Sequence, residues 1–79
     1  MKAVNHTMPL GKLPSGESAT IVDLAGGRTF VARCLALGCT PGTPVTMERN
    51  SGHGPVIVVV RGTRLALGRG ESMRLCVRT

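Results

Sequence analysis

Val56-Ile57-Val58-Val59-Val60-Arg61-Gly62-Thr63-Arg64-Leu65-Ala66-Leu67 contains two short runs of strand-forming residues around one glycine. β-Branched side chains pack well on a pleated surface, and Gly62-Thr63 suits a two-residue type II′ hairpin loop, which needs glycine first. Alternation along the first run points Val56, Val58 and Val60 to one side and Ile57 and Val59 to the other. The first set is the expected core face. The second is an aliphatic stripe on the outside of the sheet, and such a stripe invites association or aggregation unless something covers it. Ile57 and Val59 thus have two readings. They are core beneath a helix or N-terminal arm, or they form a docking or homo-oligomer contact rimmed by Arg61 and Arg64.

The pattern extends in both directions. Val45 and Met47 alternate with Thr46 and Glu48, and Leu75 and Val77 alternate with Arg74, Cys76 and Arg78. Asn50 to Pro55 is a loop, and Gly68 to Met73 is a short turn or single helical turn. Upstream, Ser18 to Leu24 reads as a strand that Gly26-Gly27 ends. Phe30, Val31, Cys34, Leu35 and Leu37 recur at the spacing of one helix face, with Thr29 as the expected N-cap. Gly38 sits where such a helix ends in a left-handed residue, and Pro41-Gly42 is the pair a type II turn requires. Leu10 and Leu13 anchor the turn Pro14-Ser15-Gly16, and residues 1–9 show no period and read as a flexible arm. Five short strands, one small helix and a helical turn predict a mainly β chain. Its expected form is a small barrel over residues 10–79.

The 79-residue chain carries one aromatic residue, Phe30. That speaks against single-strand nucleic-acid modules and proline-rich-peptide readers, which work through aromatic surfaces. No aliphatic run approaches the roughly 20 residues of a membrane span. The start, Met1-Lys2-Ala3-Val4-Asn5-His6, lacks the apolar segment of a secretory signal, so a cytoplasmic location is expected. Ten Lys and Arg against four Asp and Glu give a formal charge of +6, which attracts anionic partners in general. The arginines are scattered, so charge alone names no partner.

Chemistry is sparse. Glu17, Asp23, Glu48 and Glu71 fall in separate elements, no nucleophile motif is present, and the glycine pairs are too short for a phosphate loop. An enzyme is not expected, and no cofactor is required. Three cysteines without C-x-x-C spacing imply reduced thiols. Cys34 and Cys39 fall at apolar positions, where cysteine behaves as a small hydrophobe. His6, His53 and Cys76 are left as weak candidate ligands for Fe²⁺ or Zn²⁺.

The motifs form a series: Leu13-Pro14-Ser15-Gly16-Glu17, then Gly26-Gly27, then Arg33-Cys34-Leu35-Ala36-Leu37-Gly38-Cys39-Thr40-Pro41-Gly42. Gly54-Pro55-Val56, Arg61-Gly62-Thr63-Arg64-Leu65-Ala66-Leu67 and Glu71-Ser72-Met73-Arg74-Leu75-Cys76-Val77 complete it. From Leu10 to Val77 this resembles the ferrous iron transport protein A (FeoA) family, small cytosolic proteins with an SH3-like barrel. Cys34, Cys39, Gly54 and Ser72 depart from residues common in the family. The resemblance implies a non-enzymatic accessory role in Fe²⁺ uptake through the cytoplasmic part of the FeoB-type membrane GTPase transporter. It places the protein in the cytoplasm or at the inner face of the membrane through that partner. Gly38, Pro41, Gly42 and Gly62 are read as structural turns, and Ile57, Val59, Arg61 and Arg64 as the partner surface. The same barrel occurs in iron-dependent repressors behind a helix-turn-helix, and a stand-alone repressor is not expected here. Two alternatives are a transition-metal sensor and a nucleic-acid-binding barrel that uses Arg33, Arg61, Arg64, Arg69, Arg74 and Arg78 on phosphates. No nucleic-acid partner is expected.

Overall fold

Alternating burial organises the chain around one sheet. The computed structural model describes residues 6–79, so positions 1–5 of the expected arm lie outside the described residues. The strands are β1 (Thr7–Pro9), β2 (Ser18–Leu24), β3 (Pro44–Arg49), β4 (Val56–Val60), β5 (Thr63–Leu67) and β6 (Leu75–Arg78). Two helices, α1 (Arg28–Ala36) and α2 (Arg69–Ser72), and a 3-10 turn at Leu10–Lys12 connect them. All pairings are antiparallel, in the order β1-β6-β2-β3-β4-β5. The described residues thus form six strands rather than five.

The additional strand comes from the expected arm. Thr7, Met8 and Pro9 pair with Arg78, Val77 and Cys76, and Met8 packs against the core. Three residues ending in proline carry no readable period, and β6, some 70 residues along the chain, defines the strand.

The inner face of the sheet gathers Ile21, Val45, Met47, Val56, Val58, Val60, Leu75 and Val77, all buried. Leu10 and Leu13 close it from the 3-10 turn, and Phe30 and Cys34 close it from α1. The helix differs from expectation in its start and in its buried face. It starts at Arg28 with Gly27 as N-cap, two residues ahead of the expected Thr29. Leu35 and Leu37 are exposed, because the face of this short helix that meets the core is made by Phe30 and Cys34, with Val31 packed at its edge.

The end of α1 is a Schellman motif. Gly38 N–H donates to the Leu35 carbonyl at 3.1 Å and Cys39 N–H to the Cys34 carbonyl at 2.8 Å, with Gly38 at φ +92°. This motif commonly brings together the side chains that here are Cys34 and Cys39, and both are buried in the core cluster. Thr40 to Thr43 follows as a β-turn closed by Thr43 N–H on the Thr40 carbonyl, with Pro41 second and Gly42, also at φ +92°, third. That is a type II turn.

The β4–β5 hairpin is shifted by one residue from the expected turn. Val60 pairs with Thr63, so the loop is Arg61-Gly62, and both have positive φ (52° and 78°). That conformation is type I′. The valine run extends to Val60, whose burial pulls the register back and leaves arginine in a left-handed position.

Candidate partner-binding surface

The outer face of β3, β4 and β5 is built by register. Val59 lies between Thr46 and Arg64, and Ile57 between Arg49 and Ala66. Both aliphatic residues are half-buried, while Val56, Val58 and Val60 point inward and are fully covered. The Arg64 guanidinium donates to the Glu48 carboxylate, so this ion pair spans β4. At the end of the hairpin, Arg61 folds back toward the end of α1. Its Nε donates to the Gly38 carbonyl and its Nη2 to Thr43 Oγ1, each at 3.4 Å. A cation at carbonyls that end a helix is favourably placed against the helix dipole. Ile57 and Val59 thus form a narrow apolar strip on the outer face with Arg64 beside it, whereas Arg61 turns away toward the end of α1. Arg61 and Arg64 are bonded within the molecule rather than extended from it.

The candidate metal ligands do not converge. The register puts Cys76 opposite Pro9 and Thr79 beside His6, so Cys76 and His6 lie about three residues, or ~10 Å, apart along the β1–β6 ladder. His53 is exposed in the β3–β4 loop. Among the described residues no group of three or more His, Cys, Asp or Glu side chains could hold a metal ion. Among the described residues, His6, His53 and Cys76 are therefore not brought together as a ligand set. Cys34 and Cys39 are buried, and burial raises both thiol pKa values; proximity to Cys39 raises that of Cys34 further.

Two polar networks were not legible from the sequence. The first joins the helices. Arg33 on α1 bonds to Glu71 on α2, and Arg33 and Arg74 both lie over the Phe30 ring, 5.9 and 5.8 Å from its centroid. Glu71 also accepts from Gly68 N–H at 3.2 Å, and the Arg33 bond, followed by the Gly68 bond, lowers its carboxyl pKa. The second network centres on Asn50 and Arg69. Asn50 Nδ2 donates to the Gly11 and Leu13 carbonyls, both at 2.9 Å, and Asn50 Oδ1 accepts from Arg69 Nη2 at 2.9 Å. Arg69 further donates to the Gly11 and Gly54 carbonyls at 2.8 and 3.0 Å. In the sequence Arg69 is one of several scattered cations. The structure makes it a cross-link between the 3-10 turn, the β3–β4 loop and α2.

One six-stranded antiparallel sheet with little helix defines a small module of the SH3-like class. Residues 8–79 match the model of the FeoA domain, and the chain belongs to the FeoA family. It is 30% identical to Fe(2+) transport protein A of Methanocaldococcus jannaschii over 69 residues, 87% of this chain and 83% of the relative. It is similar to a crystal structure of an iron uptake regulatory protein, FeoA, with TM-score 0.85 and 30% identity, covering 92% of this chain and 97% of the other. The zinc-complexed FeoA of Stenotrophomonas maltophilia, described as a prokaryotic SH3 domain protein, aligns with TM-score 0.76 and 33% identity. That alignment covers 89% of this chain and 88% of the other. The family is linked to ferrous iron transport and is a transport-associated accessory family. Among the described residues no helix is long and apolar enough to cross a membrane.

Proposed function

We propose that this chain is a non-enzymatic accessory protein of ferrous iron uptake that binds the cytoplasmic part of an FeoB-type GTPase transporter. The observation that carries the reading is the family match over residues 8–79, nearly the whole chain. The residues support it. The four carboxylates are spread over the sequence, and two of them, Glu48 and Glu71, are committed to ion pairs. No pair of acids is therefore set for general acid–base work. The contact we assign is the β4 strip of Ile57 and Val59, with Arg64 at its rim. An apolar centre within a polar border is the usual anatomy of a protein interface. Iron is the transported cargo in this reading and needs no site on the chain.

The test is Fe²⁺ uptake in cells from which the chain has been deleted. Uptake is expected to fall and to return with the wild-type chain, but not with the Ile57→Lys, Val59→Lys variant. Unchanged uptake on deletion overturns the reading.

A further inference from the structure

A cleft of about 560 Å³ opens between the 3-10 turn, the β3–β4 loop and the end of α2. Its walls are the Asn50–Arg69 network. Both Nδ2 hydrogens of Asn50 are given to main-chain carbonyls, and its Oδ1 accepts from Arg69 and, at 3.0 Å, from Gly52 N–H. With every bond of that amide made, the cleft is held open before anything enters it, so little ordering is needed on binding. Gly11 is buried in the wall. A Cβ there would lie 2.6 Å from Ser72 Oγ and 2.8 Å from Met73 Sδ, so only glycine lets the 3-10 turn close onto Met73. Besides Gly11, Asn50, Ser51 and Gly52, the cleft is lined by Lys12, Arg69 and the half-exposed Met73. No carboxylate lines it, and Lys12 makes no ion pair among the described residues.

Two cations beside a thioether floor, without a compensating acid, fit an anionic group that carries an apolar neighbour. The volume suits one or two side chains. We infer that this cleft receives a Glu or Asp side chain, with an adjacent apolar residue on Met73, from an extended segment of a partner protein. The inference rests on reading the chain as a binding module and adds a second contact to the β4 strip.

The probe is the peptide acetyl-Glu-Leu-Glu-amide, titrated into the full ¹⁵N-labelled chain. Saturable shifts are expected at the amides of Gly11, Lys12 and Gly52, and acetyl-Gln-Leu-Gln-amide should leave them in place. Lys12→Glu, at an exposed position that leaves the fold intact, should weaken binding about fivefold or more, the scale of one exposed ion pair lost and reversed. Arg28→Glu changes the net charge equally at a residue outside the cleft, and should leave affinity within about twofold. Equal binding of the Gln peptide, or equal weakening by both charge reversals, overturns the site. Inorganic phosphate giving the same shifts more tightly than the peptide overturns the assignment to a peptide. Failure of this inference is separable from failure of the proposed function. A transporter segment that binds wild type and Lys12→Glu alike removes the cleft and keeps the function. Acidic-peptide binding without transporter binding keeps the cleft and removes the function.

Discussion

Gly38 and Gly42 each hold the backbone at φ +92°, a conformation that costs side-chain-bearing residues about 1 kcal/mol or more. Alanine at either is expected to lower stability by about that amount, measured by urea unfolding. The surroundings differ. A Cβ on Gly42 meets open space, whereas one on Gly38 would sit 2.9 Å from Arg61 Cδ and displace the arginine from the helix end. Gly38→Ala should therefore be the worse of the two, and equal melting of both variants with wild type would show that the turns do not need glycine. The cysteines allow a second test at this scale. Cys34 and Cys39 are 1% and 2% exposed, whereas Cys76 is half-buried on the outer face. Thiolates are the reactive form, and burial keeps the first two protonated. Iodoacetamide should modify Cys76 first, and mass spectrometry of peptides reads the order. Cys39→Ser should cost about 1–3 kcal/mol, because a hydroxyl enters an apolar helix end.

At the scale of elements, the bond from Arg33 to Glu71 joins α1 to α2. It holds the Glu71 carboxyl below its ordinary value of 4.5. A carboxylate with a lowered folded-state pKa contributes stability above its ordinary pKa and loses it as pH falls through the lowered one. The wild-type Tm should accordingly drop below pH 4.5. Glu71→Gln should flatten that part of the drop while starting from a lower Tm at pH 7; an unchanged pH profile would show that the bond is not maintained in solution. The β4 strip belongs to this scale as well. Ile57 and Val59 are half-buried beside the Arg64–Glu48 pair, not covered in the core. The Ile57→Lys, Val59→Lys variant should stay folded with a reduced Tm, since two lysines beside Arg64 add like-charge repulsion. Global unfolding of the variant would return the strip to the core.

Across the whole molecule, what could be read early was what repeats locally. The alternation of Val56 to Val60, the glycines at helix and turn ends, and the motif order from Leu13 to Val77 led to a mainly β SH3-like fold of the FeoA kind. What escaped depends on distant pairing. Thr7–Pro9 becomes a strand only against β6, the hairpin register follows from burying Val60, and Leu35 and Leu37 stay exposed because α1 touches the core at few points. The Asn50–Arg69 network was hidden for the same reason: single polar residues 19 positions apart carry no period. The candidate surface was legible as a list of side chains, but not in the internal bonds of Arg61 and Arg64.

The proposed partner of this surface is an FeoB-type transporter. Calorimetric titration of the purified cytoplasmic part of the FeoB-type protein with the wild-type chain tests it most directly. A saturable one-to-one isotherm, weakened about tenfold or more in the Ile57→Lys, Val59→Lys variant, is the predicted result. The absence of binding by the folded wild-type chain would contradict it.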